Sequence, residues 1–247
     1  MPTLTIGYST LAERVAGIRF PAGDFAFSVL VQNPNQVSFA SRSEAKVIEV
    51  EGKGVAKSRN RAIETCSSEL LIFGDDDVVF DPAALNKAAA EFEKNPNLVL
   101  LLLAATDETG KVRKQYPSNA QRLNLLNCAR AATYEMMVRP ELVKQLGVRF
   151  DERFGAGAEL YLGDEYIFIS DLIKKGGECR FAPIFVASHP ADSSGERWGT
   201  EVDRRARAAV FDRVFGFFAP VIRLAFGIRR IKQLGGVPQL LAFVFAR

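Results

Sequence analysis

The chain has 247 residues, of which 48% are hydrophobic and 25% are charged, a globular composition that excludes extended disorder. Its three cysteines are scattered without a CxxC pair, which excludes a disulfide framework and a cysteine zinc site and favours a reducing, cytoplasmic compartment. The first residues lack the layout of a signal peptide. No apolar run of the sequence approaches the roughly 20 residues of a membrane span.

Charge is distributed unevenly along the chain. The net charge is +3, yet residues 203–247 carry nine Lys or Arg against two Asp or Glu. The residues before 203 are therefore net acidic. A basic C-terminal segment predicts an acidic partner for that segment.

The first half of the chain alternates strand and helix patterns. Strands are predicted at 4–9, 25–32, 46–51, 69–73 and 98–105, and helices at 55–65 and 82–95. This alternation predicts an α/β protein with a mostly parallel central sheet flanked by helices.

The second half is less regular. After a polar stretch at 108–127, the pattern predicts a strand at 133–138, a short helix at 140–146, a glycine-rich loop at 154–163, a helix at 164–175 and a strand at 180–188. We therefore expect one catalytic domain over residues 1–200, followed by a basic, amphipathic helical extension over residues 201–247.

Three consecutive carboxylates, Asp75, Asp76 and Asp77, follow a short apolar run that is typical of a buried strand. Ligands bind open α/β sheets at the carboxyl ends of their strands. Adjacent carboxylates repel one another unless a cation balances them, so the triplet indicates a divalent metal and, with it, a phosphate. The alternative is a solvated acidic turn or the N-cap of the following helix.

A glycine-rich segment, Gly52-Lys53-Gly54, opens the helix that precedes this strand. Free backbone N–H groups at a helix start, with Lys57 and Arg59 nearby, suit a phosphate or a carboxylate. The spacing is not that of a P-loop. A solvated basic helix face is the alternative.

Two further groups could carry chemistry. Asp164 and Glu165 lie at a predicted helix start after the glycine-rich loop, and a carboxylate pair raises one pKa and so suits a general base; a helix cap is the alternative. His189, the only histidine, follows the last strand in a polar loop with Ser193-Ser194-Gly195. Neutral imidazole is a common metal ligand, although a loop histidine without function is the alternative.

Four blocks of the sequence resemble the inverting GT-A glycosyltransferases of family 2, in the order expected for that family. They are GKGVAKSRNRAIE at 52–64, LLIFGDDDVVFDP at 70–82, FGAGAELYLGDEYIFISDLIKKG at 154–176 and SHPADSSG at 188–195. The resemblance implies a GT-A fold, a Rossmann-like nucleotide-diphospho-sugar transferase architecture. It also implies transfer of a sugar, with inversion, from a nucleoside diphosphate sugar.

The resemblance also implies roles for individual residues. The metal ligands of Mn²⁺ or Mg²⁺ would be Asp77, Asp75 and His189. The nucleotide sugar, expected to be UDP-linked, would be held by Ser9, Thr10, Gln32, Lys57, Arg59, Asp75 and Asp76. The family has Glu-Asp where this chain has Asp164-Glu165, so Glu165 stands at the position of the catalytic base and Asp164 remains the alternative. The family usually carries an Asp in the loop after strand two, whereas this chain has Gln32-Asn33-Pro34-Asn35.

Basic and aromatic residues interleave over 203–247, which favours an interfacial helix on an anionic membrane. The sequence thus predicts a cytoplasmic enzyme, peripheral on the inner membrane face, that acts on a glycan or lipid-linked acceptor in surface polysaccharide synthesis. The alternative is that the phenylalanines pack on the protein and the arginines face solvent. No nucleic-acid module accompanies the charge, so no nucleic-acid partner is expected.

Two other functions fit parts of the pattern. A nucleotidyltransferase would make a sugar nucleotide and also uses carboxylates at a sheet edge, but its glycine-rich signature after strand one is replaced by Gly7-Tyr8-Ser9-Thr10. A non-catalytic, membrane-associated binding module would keep the fold without the activity.

Overall fold

A nine-stranded mixed sheet forms the centre of the computed structural model, which describes residues 1–33, 35–112, 114–190 and 198–246. The strand order is β3-β2-β1-β4-β8-β6-β9-β5, and β7 pairs with β9 off this path. The strands are β1 Leu4–Leu11, β2 Ala26–Gln32, β3 Lys46–Val50, β4 Leu70–Asp75, β5 Val79–Phe80, β6 Leu98–Thr106, β7 Gln121–Arg122, β8 Met136–Val138 and β9 Glu178–Ser188.

Strands β1, β2, β3 and β4 run parallel to one another. Strand β8 is inserted antiparallel between β4 and β6, and β6 pairs in parallel with β9. The carboxyl ends of β1, β2, β4, β6 and β9 therefore meet at one edge of the sheet, together with the start of β8. The predicted α/β class is confirmed, and this edge is where such sheets bind ligands.

Helices cover both faces of the sheet. Helix α2 packs on one face through Leu85 and Phe92, while α1, α3 and α4 belong to the core on the other face. The helices of the sheet domain are α1 Val55–Thr65, α2 Pro82–Lys94, α3 Pro140–Gln145 and α4 Asp164–Lys174. Helix α2 begins at Pro82 because Asp81 accepts hydrogen bonds from the backbone of Ala83 and Ala84 at 2.8 and 3.2 Å.

The predicted strand at 133–138 is divided in the structure. Residues Thr133–Glu135 form a 3-10 turn, and only Met136–Val138 pair as β8. Two hydrogen bonds between Ala132 and Glu135 stabilise the turn. The backbone N–H of Ala132 donates to the Glu135 carboxylate at 3.0 Å, and the N–H of Glu135 donates to Ala132 O, also at 3.0 Å. An apolar run cannot reveal this, since the turn depends on one acidic side chain that folds back on its own backbone.

The helices of the C-terminal segment are α5 Glu201–Phe215, α6 Ala219–Arg229, α7 Ile231–Leu234 and α8 Val237–Val244. Its helices share a small apolar core that includes Leu234, Leu240 and Phe243. Helix α5 joins this bundle to the sheet domain, because Val210 and Val214 lie in the same core as α4. Within the described ranges, every helix is too short or too polar to cross a membrane.

Candidate active site

The acidic triplet lies at the carboxyl end of β4, as its sequence predicts. Asp75 is the last residue of β4 and pairs with Ser9 of β1, and Asp76 and Asp77 form the turn towards β5. Asp76 is held in place: Thr10 Oγ1 donates to its carboxylate at 2.7 Å, and Arg14 Nη2 lies 2.7 Å away. Burial raises the pKa of Asp76, while Thr10 and Arg14 oppose the rise.

Asp77 faces His189, which the parallel strand β9 brings to the same edge. His189 Nε2 lies 3.3 Å from Asp77 Oδ1. Its Nδ1 lies 2.7 Å from the carbonyl oxygen of Pro190, which can only accept, so Nδ1 carries the hydrogen. In neutral imidazole, Nε2 then presents a lone pair to a carboxylate oxygen. A cation bound by both atoms would make this arrangement favourable.

The imidazole plane is set by an aromatic neighbour. The ring of Tyr134 stacks on that of His189, with centroids 4.8 Å apart and planes inclined by 11°. Tyr134 comes from the 3-10 turn before β8. Because β8 runs antiparallel to β4, its start lies beside the end of β4, and the turn therefore reaches the acidic edge.

A buried arginine organises the second carboxylate group. Arg59 of α1 has a side chain only 5% exposed and forms an ion pair with Asp164, which is 3% exposed. Its other contacts are Asp75 at 3.6 Å and Glu165 at 3.7 Å. The sequence predicts that Arg59 holds the nucleotide. In the structure its guanidinium contacts three carboxylates, and nucleotide binding by Arg59 stays a prediction.

One cation faces three acidic groups, and the pKa values reflect this. Burial and the adjacent Glu165 raise the pKa of Asp164 to about 7, although Arg59 opposes the rise. Burial and Asp77 likewise raise the pKa of Asp75 against the effect of Arg59. The pKa of Arg59 is raised because its three carboxylates outweigh the cost of burial. The group therefore has an excess of negative charge that a further cation would relieve.

Glu165 differs from Asp164 in its surroundings. Its side chain is 22% exposed, and Thr133 Oγ1 donates to its Oε1 at 2.8 Å.

Two glycines permit the backbone conformation at the start of α4, where Asp164 and Glu165 lie. Gly163 adopts φ 90° at the N-cap of α4, and Gly155 adopts φ 96° where a Cβ would lie 2.7 Å from the Asp164 carboxyl carbon. Asp164 therefore points inward and Glu165 lies at the site.

The remaining predicted donor-side residues lie near the ends of β1 and β2. Ser9 and Thr10 are buried. Gln32 is also buried: its Nε2 donates to Gly54 O at 2.5 Å, and its Oε1 accepts from Gly54 N at 3.2 Å. Gln32 thus anchors the loop Gly52–Gly54, which the sequence predicts to bind a phosphate or a carboxylate. Lys57 lies against Gly52 of the same loop.

The glycine-rich loop at 154–163 contacts both this donor-side loop and the C-terminal bundle. The N–H of Val55 donates to Ala156 O at 2.9 Å. On its other side, Tyr161 hydrogen-bonds to Asp203 of α5, and Arg205 lies 3.1 Å from Glu159. Helix α5 therefore braces the loop that the resemblance assigns to the acceptor.

Three site residues are missed by the sequence patterns. Arg14, Thr133 and Tyr134 stand in no motif, and they reach the site only through the 3-10 helix after β1 and the insertion of β8. Of the His189 loop, residues 191–195 lie outside the described residues, as does Pro34 of the loop after β2.

The described residues contain no group of three or more His, Cys, Asp or Glu arranged to bind a metal. Asp75, Asp77 and His189 thus form no preformed three-ligand site. Yet Asp77 Oδ1 is buried and makes no hydrogen bond within the described ranges, and His189 fixes its tautomer through a backbone carbonyl, as metal-binding histidines do. Mg²⁺ in nucleotide sites is held by one or two carboxylates plus substrate phosphates. The residues fit a metal that binds together with a diphosphate.

Comparison with known proteins identifies the class. Residues 35–146, just under half of the chain, match the model of "Glycosyl transferase family 2". This stretch contains the acidic triplet and the 3-10 turn and ends before Asp164. No relative was found among curated proteins.

Solved structures share the fold over nearly the whole chain. S. aureus TarS 1-349 is 17% identical over 98% of this chain and 81% of that chain, with a TM-score of 0.55. Its complex with UDP is 17% identical over 99% and 73%, with a TM-score of 0.58, and its complex with UDP-GlcNAc is 16% identical over 98% and 81%, with a TM-score of 0.56.

Fold and family match together define a GT-A glycosyltransferase. Residues 35–146 are therefore similar to glycosyltransferase family 2.

Proposed function

We propose that this protein transfers a sugar from a nucleoside diphosphate sugar to an acceptor hydroxyl, with inversion and with the help of a divalent metal. The observation that carries the proposal is the meeting of two acidic groups at one sheet edge. One contains Asp77 facing His189 at 3.3 Å, and the other contains the Asp164–Glu165 pair over Arg59. Such a transfer needs one group that holds the metal beside the diphosphate, here Asp77 and His189, and one that accepts the proton of the acceptor hydroxyl, here the Asp164–Glu165 pair.

The donor is a nucleoside diphosphate sugar with UDP as the expected nucleotide. The TarS structures of the same fold were obtained with UDP and with UDP-GlcNAc, which supports a donor of this class here. Ser9 and Thr10 end the first strand beside the acidic triplet, and Lys57 and Arg14 are cations near this edge. Arg14 is half exposed and 2.7 Å from Asp76, so it is well situated to contact a diphosphate oxygen.

Asp77 and His189 would hold Mn²⁺ or Mg²⁺, with Asp75 close by, and the bound metal would balance the charge of the leaving diphosphate. The protein's own contribution is orientation. Thr10 and Arg14 fix the turn through Asp76, and Tyr134 fixes the imidazole plane. We therefore propose that Asp76 stabilises the conformation of the turn at the donor site and does not contact the sugar directly.

Glu165 is the proposed general base. It is partly exposed and accepts a hydrogen bond from Thr133, so it is better placed than Asp164 to reach the acceptor hydroxyl. Asp164 is the weaker alternative, because it is buried and paired with Arg59. General-base assistance of this kind contributes about 10²- to 10⁴-fold in rate.

The acceptor side supports a peripheral location on the inner membrane face and a glycan or lipid-linked acceptor in surface polysaccharide synthesis. Helix α6 exposes Val221, Leu224 and Ile228 on one side, after the exposed Phe217 and Phe218. Basic residues follow directly, at 229, 230 and 232. An apolar row beside cations is suited to an anionic lipid surface. Because α5 also braces the loop 154–163, a membrane-bound tail would bring that loop near lipid-linked substrates.

The decisive experiment incubates the purified protein with a panel of UDP-, GDP- and dTDP-sugars, with Mn²⁺, Mg²⁺ or EDTA, and measures release of nucleoside diphosphate. We expect metal-dependent release of UDP, stimulated by a glycan or lipid-linked acceptor. Release of pyrophosphate from a nucleoside triphosphate and a sugar phosphate would instead indicate a nucleotidyltransferase. No turnover of any donor, with intact binding, would indicate a binding module.

A further inference from the structure

The 3-10 turn Thr133–Glu135 sends three consecutive side chains to three different partners. Thr133 Oγ1 donates to Glu165 Oε1 at 2.8 Å, and the Tyr134 ring stacks on His189 at 4.8 Å. Thr133 and Tyr134 are both buried. The turn thus contacts both the proposed base and the proposed metal-side histidine.

The third residue, Glu135, anchors the turn. Its carboxylate is buried and accepts from Lys114 Nζ at 2.9 Å, from the Tyr116 hydroxyl at 2.6 Å and from the backbone N–H of Ala132 at 3.0 Å. Burial raises the pKa of Tyr116 and Glu135 adds to the rise, so this hydroxyl keeps its proton and remains a donor. A carboxylate with these partners holds the turn rigid, since breaking a buried charged network is costly.

We propose that this turn is the positioning element that links the two halves of the active site, with Thr133 orienting Glu165 and Tyr134 orienting His189. The inference rests on the proposed function, because it takes Glu165 as the base and His189 as a metal-side residue. It adds two positioning residues that no motif of the sequence contains.

The chemistry of each contact explains its role. A threonine hydroxyl has one proton, and its donation to Oε1 fixes the rotation of the Glu165 carboxylate. The other oxygen is then directed towards the acceptor hydroxyl. The Tyr134 ring restricts rotation of the imidazole, so that Nε2 stays aimed at Asp77 while Nδ1 is held by Pro190. Misplacement of either group would affect the reaction more than donor binding.

The first test compares Thr133→Val with Thr133→Ser. Valine keeps the shape and removes the hydroxyl, whereas serine keeps the donor. We expect kcat to fall about 10- to 100-fold in Thr133→Val, as is typical when a residue that orients a ligand or base is lost, with the donor KM unchanged. Thr133→Ser should recover most of the loss. Thr5→Val is the matched control, because Thr5 is also buried and donates at 2.8 Å, to Ser68 at the start of β1 and β4, away from the site.

The second test uses the single histidine of the sequence. In the untagged protein, one imidazole Cε1–H proton resonance reports the position of His189 without any turnover. We expect Tyr134→Phe, which keeps the ring, to leave this resonance nearly unchanged. Tyr134→Leu should shift it downfield at the same pH, because the shielding by the stacked ring is lost.

The outcomes separate this inference from the proposed function. Wild-type kcat in Thr133→Val, together with an inactive Glu165→Gln, would overturn the positioning role and leave the function standing. Equal losses in Thr133→Val and Thr133→Ser would overturn it as well, since the hydroxyl would then not be the cause. An unmoved histidine resonance in Tyr134→Leu would refute the Tyr134 part. Full turnover in Glu165→Gln would instead refute the function on which the inference rests.

Discussion

Arg59 and Asp164 are 105 residues apart in the chain and form an ion pair beneath the carboxyl edge of the sheet, where both are almost completely buried. The pair ties α1 to the start of α4. It also separates two adjacent carboxylates by function: Asp164 turns inward to the guanidinium, and Glu165 is left at the site with its hydrogen bond from Thr133.

This separation predicts different results for the two neutralised carboxylates. Glu165→Gln should lower kcat by about 10²- to 10⁴-fold with little change in donor affinity, because only the base is lost. Asp164→Asn should lower stability more than it lowers the rate per folded molecule. Steady-state kinetics with UDP-sugar binding, measured on samples matched for folded fraction, checks both. If Asp164→Asn lost the rate and Glu165→Gln kept it, the base would be Asp164.

Removal of the guanidinium should destabilise the fold. Arg59→Ala leaves Asp164 buried without its partner, which is expected to cost about 3–5 kcal/mol of unfolding free energy. Denaturant unfolding followed by circular dichroism measures this loss. Arg61→Ala is the matched control on the same helix, since Arg61 pairs with Glu64 at an exposed surface and should cost about 1 kcal/mol or less. Equal costs for both variants would contradict the structural role of Arg59.

The raised pKa of Asp164 predicts a pH dependence of stability. Its pKa rises from 3.8 to about 7 on folding, so between these values the folded state binds more protons than the unfolded state. The free energy of unfolding contributed by Asp164 is therefore fully present below pH 4 and is lost as the pH rises through 7, with a slope approaching about 1.4 kcal/mol per pH unit.

Asp164→Asn should remove this slope. Urea unfolding of wild type and variant at pH 5, 6, 7 and 8 gives the comparison, and the difference between the two curves isolates the residue from other titrating groups. Parallel curves over the whole range would mean that Asp164 does not take up a proton on folding.

Loss of the metal-side carboxylate should abolish metal-dependent turnover while the fold remains. In Asp77→Ala, the partner of His189 is removed at an edge where Asp77 is one-third exposed, so we expect little change in thermal unfolding. Mn²⁺ binding in the presence of UDP should weaken strongly, as measured by calorimetry. Asp81→Ala is a suitable control, because the Asp81 carboxylate accepts from Ala83 and Ala84 at the start of α2 and has no role in the proposed metal site. A wild-type rate in Asp77→Ala would show the site assignment to be wrong.

The C-terminal bundle should bind anionic vesicles through the outer face of α6. Phe217 is 93% exposed, and replacement of Phe217 and Phe218 by serine should reduce co-sedimentation with vesicles that contain phosphatidylglycerol, because about 0.8 kcal/mol is lost for each CH₂ no longer buried in lipid. Neutralising Arg229, Arg230 and Lys232 should weaken binding further and remove its salt sensitivity.

Phe226, within α6, provides the contrast with Phe217 and Phe218, which precede that helix. It packs against Phe211 and Phe243 inside the bundle, so Phe226→Leu should affect stability and leave vesicle binding intact. Failure of the wild-type protein to bind anionic vesicles at low salt would defeat the membrane proposal.

Much of the architecture is readable from local patterns. The apolar run before Asp75 predicts a buried strand that ends at a site, and the structure has β4 ending there. Alternating strands and helices predict the parallel sheet, because each pattern reports which face of an element is buried. Local patterns cannot report which partner a buried side chain meets. Lys57 and Arg59 both follow the same glycine loop, yet only Arg59 turns into the core.

The C-terminal segment illustrates the same limit. By sequence, its phenylalanines and arginines form one basic, aromatic set. In the structure, Arg223 is buried and donates to Phe243 O, and Arg207 lies 3.9 Å from the centroid of the Trp198 ring, whereas Phe217 is almost fully exposed. The alternative that arginines face solvent while phenylalanines are buried does not hold at these positions, since long charged side chains can bury their apolar stems.

The sequence by itself determined the α/β class, the strand that ends in three carboxylates and the order of the motif blocks, because these depend on residues close together in the chain. Only the tertiary structure decided which carboxylate faces the site, that His189 reaches Asp77, and that Thr133 and Tyr134 join the two acidic groups. These relations depend on β8 running antiparallel between β4 and β6 and on β9 running parallel to β6. Pairings between strands distant in sequence are set by the packing of the whole sheet, to which every strand contributes and which no single segment encodes.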